Sequence, residues 1–137
     1  SPKLYFYDTG LLCFLLGINE ATQINQHYNR GSLFENMVIV ELMKNRYNAD
    51  KRPDFYFWRD SNHVEVDLVA IEGPNTQLFE VKYSYTPKSD FFKGIQSFRD
   101  SAPEHRKFGN NVIVYAADEG QHRSMATIET WRKLGLM

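Results

Sequence analysis

Cysteine is almost absent from this chain. Cys13 is the only one, which excludes an intramolecular disulfide framework and any multi-cysteine zinc site. It lies inside an apolar run, so a buried, inert thiol is expected there. Long hydrophobic runs are absent too: the longest, residues 11–18, is too short to span a bilayer. Neither sign of charge dominates. Sixteen Lys and Arg stand against 17 Asp and Glu, a net of −1, so the chain as a whole is no polycation and cannot hold nucleic acid by bulk charge. No Gly-x-x-x-x-Gly-Lys-Ser/Thr phosphate loop occurs, which puts any ATP chemistry outside these residues. There is no internal repeat, no low-complexity stretch and no basic-then-apolar leader with a small-residue cleavage site. A cytoplasmic protein with no membrane part is expected. The chain opens on Ser1-Pro2-Lys3 rather than on methionine, which suggests an excised piece of a longer protein or a tag scar.

What is present suits one soluble domain. The 137 residues are 42% hydrophobic, 24% charged and 15% aromatic, enough for a single, aromatic-rich core. Lys3 to Tyr7 alternates loosely and reads as a short strand. Asp8 or Thr9 can cap a short apolar helix over Leu11 to Leu16, and Gly17 can end it in the left-handed conformation. Asn19 to Arg30 is polar and reads as a connection. Gly31, with Ser32 as cap, begins a long helix to about Tyr47. It is apolar nearly all round, as a helix buried against a sheet would be. Three strands are expected next, at Phe55 to Trp58, His63 to Ile71 and Thr76 to Tyr83. Thr86-Pro87 opens a second helix with Phe91, Ile95 and Phe98 as its stripe. Val112 to Ala116 is a short apolar strand, and Met125 to Leu134 is weakly helical. The charge is uneven: residues 1–81 hold 7 Lys/Arg and 11 Asp/Glu, whereas residues 82–107 hold 6 and 3.

The hairpin of the second and third strands carries the chemistry. With 72–75 as its loop, Ile71 faces Thr76, Asp67 stands opposite Glu80 and Glu65 opposite Lys82. Directly opposed residues share a face of the sheet. Val64, Val66, Leu68, Phe79 and Val81 fall on the other, apolar face, and a one-residue slip would break this agreement. Two adjacent carboxylates repel unless a cation stands between them, and Mg²⁺ or Mn²⁺ suits an oxygen-rich site with few protein ligands. Lys82 could orient a water or offset charge on a phosphate. The plain alternative is a solvated cross-strand ion pair, worth at most about 1 kcal/mol.

At this point the sequence resembles a known family. Asp67, an interval of a dozen residues, and Phe-Glu80-Val-Lys82 are similar to the Asp…Glu-x-Lys signature of the PD-(D/E)XK nuclease superfamily. Glu35, in Gly31-Ser-Leu-Phe-Glu35-Asn, matches the further glutamate that the superfamily often supplies from the preceding helix. The resemblance is closer still to the uncharacterised C-terminal domain of certain prokaryotic AAA+ ATPases, at Pro2-Lys3-Leu-Tyr-Phe-Tyr-Asp8-Thr-Gly10, Gly31-Ser-Leu-Phe-Glu35-Asn, Glu65-Val-Asp67 and Glu80-Val-Lys82. It implies an α/β fold with a restriction-endonuclease-like core: a small mixed β-sheet flanked by helices, in the order α-β-β-β-α-β. Residues 1–29 would end an upstream winged-helix-like segment and its connection, and residues 30–137 would form the nuclease-like domain. Asp67 and Glu80 would hold Mg or Mn, aided by the Val81 carbonyl, with Lys82 and Glu35 completing a site for hydrolysis of DNA phosphodiesters. ATP would bind only in an upstream ATPase domain of the same chain, and such a motor would bring a homo-oligomeric ring with it. The alternative is a catalytically inactive nuclease-fold module that binds DNA, protein or the ATPase domain.

Individual residues carry rival readings. Ser32-x-x-Glu35 is also a capping box, in which the glutamate reaches back to the cap. Glu41 reads as a surface ion pair. His63 is a strand-start histidine or a proton shuttle, while His27, His105 and His122 lack ligand spacing and read as surface. Lys88, Gln96 and Arg99 share one side of the second helix, with Lys93 on its flank. They form either a phosphate-backbone contact or a solvated face. Tyr56, Trp58 and Phe91-Phe92 read as core.

Overall fold

The computed structural model describes residues 2–137, the side chains of His122 and Leu136 excepted. The surface reading of His122 therefore lies outside the described residues. Helix α1 (Thr9–Leu15) is followed by the single turn α2 (Ala21–Ile24) and by α3 (Arg30–Asn48). Strands β1 (Asp54–Arg59), β2 (Glu65–Glu72) and β3 (Asn75–Lys82) come next. A 3-10 turn over Ser89–Phe92 leads into α4 (Lys93–Ser101), then β4 (Lys107–Phe108), β5 (Val112–Tyr115), β6 (Gln121–His122), β7 (Thr127–Thr130) and a 3-10 turn over Trp131–Leu136. The long helix, three strands, second helix and further strand thus follow the expected α-β-β-β-α-β order.

These strands make one mixed sheet, ordered β1-β2-β3-β5-β7-β6, with β4 pairing beside β3. The first three are antiparallel, β3, β5 and β7 run parallel, and β6 returns antiparallel. A parallel β3–β5 pair needs a crossover, and α4 supplies it on one face. On the opposite face α3 lays Phe34, Val38, Ile39 and Leu42 against Leu68, Ala70, Phe79, Val81 and Val114. The α4 face collects Val66, Val69, Leu78, Ile95, Ile113 and Ile128. Helix α3 is apolar all round because it is covered twice: its other side, with Leu33 and Asn36, lies under Tyr5, Phe6 and α1.

Several expected features hold. The Asp8 carboxylate caps α1 by accepting from Leu11 N at 2.9 Å, and Gly17 has φ +73°. Ile71 pairs with Thr76. Pairing continues to Glu72 and Asn75, so the turn tightens to Gly73-Pro74, with Gly73 at φ +56° supplying the positive φ such a hairpin needs.

Others are corrected. Residues 3–7 form no strand. The Asn36 side chain takes the place of a partner strand, accepting from Phe6 N at 2.7 Å and donating to Phe6 O at 2.9 Å. Helix α3 starts at Arg30 after Asn29, so Ser32 is inside the helix and is not its cap. Pro87 precedes the second helix rather than opening it, with Lys88 extended at the entry to the 3-10 turn. The segment read as weakly helical holds β7, whose pairing with β5 only the assembled sheet provides. Tyr56 is exposed, whereas Trp58 packs edge-on against Phe98 at 5.3 Å. Cys13 is half-buried, and Leu11, Phe14 and Leu15 of α1 are exposed.

The largest correction concerns β2. Tyr56 pairs with Val69 but Trp58 pairs with Val66, so Asp67 and Leu68 together oppose Phe57. This is a β-bulge, which adds one residue to a strand and flips every side chain beyond it. Val66 therefore packs on the α4 face with Val69, and not with Leu68 and Phe79 as the alternation implied.

Candidate functional site

The bulge sits at Asp67. Backbone pairing of β2 with β3 ends at Leu68–Phe79. Beyond that rung the Asp67 carboxylate accepts the Val81 N–H at 2.9 Å on Oδ2. A charged acceptor on an amide is a strong hydrogen bond, and it fixes the carboxylate between the two strands. Glu80 and Lys82, two apart on β3, point to the α4 face. Lys82 Nζ lies 3.1 Å from Glu80 Oε2 and 4.0 Å from Asp67 Oδ2. The Val81 side chain points the other way, into the α3-side core.

Glu80 is buried, at 3% exposure. Burial and the neighbouring Asp67 charge push its carboxyl up to about 8, against the pull of Lys82. Burial also works against the Lys82 ammonium, but Glu80 and Asp67 hold its pKa above the ordinary value. So burial first, and then the Asp67 charge, keep a proton on Glu80 even with Lys82 beside it.

Glu35 enters from the second turn of α3. Its Oε1 accepts from Tyr5 Oη at 2.6 Å and from Lys3 Nζ at 3.0 Å, so it makes no capping box with Ser32. The Lys3 ammonium also lies 3.2 Å from Asp67 Oδ1 and 3.3 Å from Glu65 Oε2, and 5.7 Å from the centre of the Phe57 ring. Glu65 does not pair with Lys82 as the register arithmetic implied. The bulge turns it toward Lys3 and toward Arg59, its partner across β1. Burial lowers the proton affinity of Lys3, but Asp67 and Glu35 more than offset it, leaving the amine well above its ordinary pKa. Burial and the Glu35 carboxylate likewise hold the Tyr5 phenol protonated.

Hollows open onto these groups from several sides. One, of about 340 Å³, is lined by His63, Glu65, Asp67, Glu80, Lys82 and Lys93 among others. Another, of about 420 Å³, runs from Asp67 and Lys82 past Glu35 to Tyr28, Arg30 and Tyr83.

Of the residues singled out in the sequence, Glu35, Asp67, Glu80 and Lys82 are brought together, with Lys93 on the rim. Lys88 is exposed at the entry to the 3-10 turn. Gln96 donates to Asp100 at 2.6 Å, and the Arg99 guanidinium lies over the Phe108 ring at 4.8 Å. His63 is exposed on the rim with φ +62°, and Glu41 pairs with Lys44 at 2.6 Å.

Three residues were missed. Lys3 and Asn36 act across more than twenty-five residues of sequence, so no local signal marks them beyond their place in the motifs. Gly94 could have been noticed as a glycine inside a helical stripe. A Cβ there would meet Glu65 O at 1.9 Å and Glu80 Oε1 at 2.1 Å, so only glycine lets α4 lie this close to the site.

The donor chemistry is that of a hard divalent cation: carboxylate oxygens, no sulfur and no imidazole ligand. Among the described residues, however, no group of three or more His, Cys, Asp and Glu side chains converges as a ready ligand set. The cation lying between Glu35, Glu65 and Asp67 is the Lys3 ammonium.

Fold and site define an α/β domain with a mixed, helix-flanked sheet and an acidic cleft at a bulged hairpin. The family described as Domain of unknown function (DUF4143) matches residues 30–132, about three quarters of the chain, and the chain belongs to that family. It is 34% identical over 124 residues to an uncharacterized protein of Mycobacterium bovis and, equally, to one of Mycobacterium tuberculosis. The match covers 90% of this chain but 25% of each relative, so the chain spans about a quarter of the length of the curated relatives it matches. No solved structure matches it significantly. Among the described residues no helix is long and apolar enough to cross a membrane.

Proposed function

We propose that this domain is a PD-(D/E)XK-type module that hydrolyses phosphodiester bonds, with DNA as its substrate. The observation that carries the reading is the meeting of Asp67, Glu80 and Lys82 where the β2–β3 hairpin opens at its bulge. Two buried carboxylates whose burial and mutual repulsion disfavour their charge are what a divalent cation would relieve. Asp67 and Glu80 would hold Mg²⁺ or Mn²⁺, with the Val81 carbonyl as a further oxygen and Glu35 at the margin. When bound, the ion supplies Lewis acidity to a phosphate and makes water more acidic. Lys82, ion-paired with Glu80, would orient the attacking water and offset charge on the phosphate. Lys93 and Arg30, on the rims of these hollows, would meet flanking phosphates, and Lys88, Gln96 and Arg99 would add contacts on the α4 side.

A second reading is favoured by one specific observation. Lys3 already pairs with Glu35, Glu65 and Asp67, so a catalytically silent module keeping this fold for docking would look the same. In either case we assign ATP binding to an upstream ATPase domain of the same, ring-forming chain.

The test is plasmid incubation with Mn²⁺, comparing the unaltered protein with Asp67→Ala and Lys82→Ala. Nicking that both substitutions abolish supports hydrolysis. Retention of DNA that weakens with salt, without nicking, supports the docking module.

A further inference from the structure

We propose that residues 2–7 are a detachable strap whose Lys3 amine holds the acidic site shut, and that a divalent cation binds only as this strap lifts. The proposal rests on the metal-site reading above and adds a regulator to it. An ammonium has three N–H donors, and here three carboxylates, Glu35, Glu65 and Asp67, lie within 3.0–3.3 Å of it. Both Asp67 oxygens are then engaged, Oδ1 by Lys3 and Oδ2 by the Val81 amide. Tyr5 bonds the same Glu35 oxygen as Lys3. A small divalent ion must approach such oxygens to about 2.0–2.1 Å. An ion that reaches the Glu35 and Asp67 Oδ1 oxygens competes with the Lys3 ammonium already bonded to them.

The strap is built to come away. It has no regular secondary structure. Lys3 and Tyr5 turn inward, while Leu4 and Tyr7 face solvent at 83% and 74% exposure. A hollow flanks it on each side, about 390 Å³ toward α1 and about 450 Å³ toward β1, and both are lined by Lys3 and Tyr5. Tyr5 packs against the α3-side core, and the rest of the strap bridges the groove rather than filling it. Its main-chain attachment is the two-way bond between Phe6 and the Asn36 amide. Segments with few buried contacts and exposed backbone are the ones that open at low cost. Whatever displaces residues 2–7 would therefore set the affinity of the site for metal.

The experiment compares the unaltered protein with Lys3→Met, which keeps the aliphatic stem and removes the charge. Mn²⁺ binding is followed by calorimetry and by loss of the free Mn²⁺ paramagnetic resonance signal. Amide exchange of residues 3–7 is followed along the same titration. The expected result is binding at least tenfold tighter in Lys3→Met, and loss of Phe6 amide protection as Mn²⁺ saturates the unaltered protein. Equal binding by both proteins with Phe6 protection unchanged overturns the strap and leaves the metal site standing. No binding by either at millimolar Mn²⁺, with both folded by circular dichroism, removes the metal site and the strap's role together. Should Lys3→Met not fold, the exchange titration on the unaltered protein decides alone: Phe6 protection that survives saturation refutes the proposal.

Discussion

Replacing Glu80 by glutamine should change how stability depends on pH. Glu80 is almost fully covered, with Asp67 beside it and α4 packed so closely that a Cβ at Gly94 would touch it. Burial first, and then the Asp67 charge, raise its carboxyl from 4.5 to about 8. A group with a raised folded pKa gives stability that is fully present below the unfolded value and is lost as pH climbs through the folded one. Between about pH 4.5 and 8 the folded protein holds a proton that the unfolded chain has released, so stability falls by about 1.4 kcal/mol per pH unit. Over the whole window that amounts to roughly 4–5 kcal/mol. Glutamine keeps the shape and stays neutral, so Glu80→Gln should remove this slope. It should be more stable than the unaltered protein by several kcal/mol at pH 9, and close to it at pH 5. Urea unfolding at half-unit steps from pH 5 to 9, in chelator, measures the difference as a shift of midpoint at constant m-value. Subtracting the two curves cancels the histidines. A difference that stays flat across the window, or a variant no more stable at pH 9, would refute the account of Glu80. If Glu80 holds a metal as proposed, the metal displaces the same proton, and Mn²⁺ affinity of the unaltered protein should rise with pH through this range.

Other consequences can be measured alongside. Gly94→Ala puts a methyl within 2 Å of the Glu65 carbonyl, so α4 must shift; a loss of about 1–3 kcal/mol is expected in thermal or urea melts, and an unchanged midpoint would contradict the packing. Asn36→Ala leaves both polar groups of the Phe6 main chain without their partner. It should cost about 1–3 kcal/mol and expose residues 2–8 to limited proteolysis, a cleavage pattern that the unaltered protein should not show. Glu72 is held near 2 by its bonds to Lys51 and Arg46. Its contribution is present above pH 4.5 and lost as pH falls through the folded value, and because the group is fully exposed, Glu72→Gln should produce a small melting shift that high salt abolishes.

How much of this could be read along the chain differs from element to element. The Asp8 cap, the Gly17 stop, the α3 helix and the Ile71–Thr76 register were legible because each rests on neighbours in sequence: a short oxygen side chain, a residue free to take positive φ, a run of apolar residues, a turn between two alternating strands. Asp67, Glu80 and Lys82 could be brought together by the same register arithmetic. The bulge could not be read, because Val66 and Leu68 are both apolar and a flip of one to the opposite face leaves no mark when both faces are buried. Strand β7 was hidden for a related reason, since a four-residue segment becomes a strand here only when β5 and β6 offer it partners.

The amino-acid order alone settled the central α-β-β-β-α-β order, the hairpin register and the acidic character of the cleft, since these depend on local sterics and on alternation. What neutralises that cleft was decided by the assembled fold. Lys3 is 64 residues from Asp67 and 32 from Glu35, and an ion pair over such separations exists only once the α3–sheet packing has fixed where each chain segment runs.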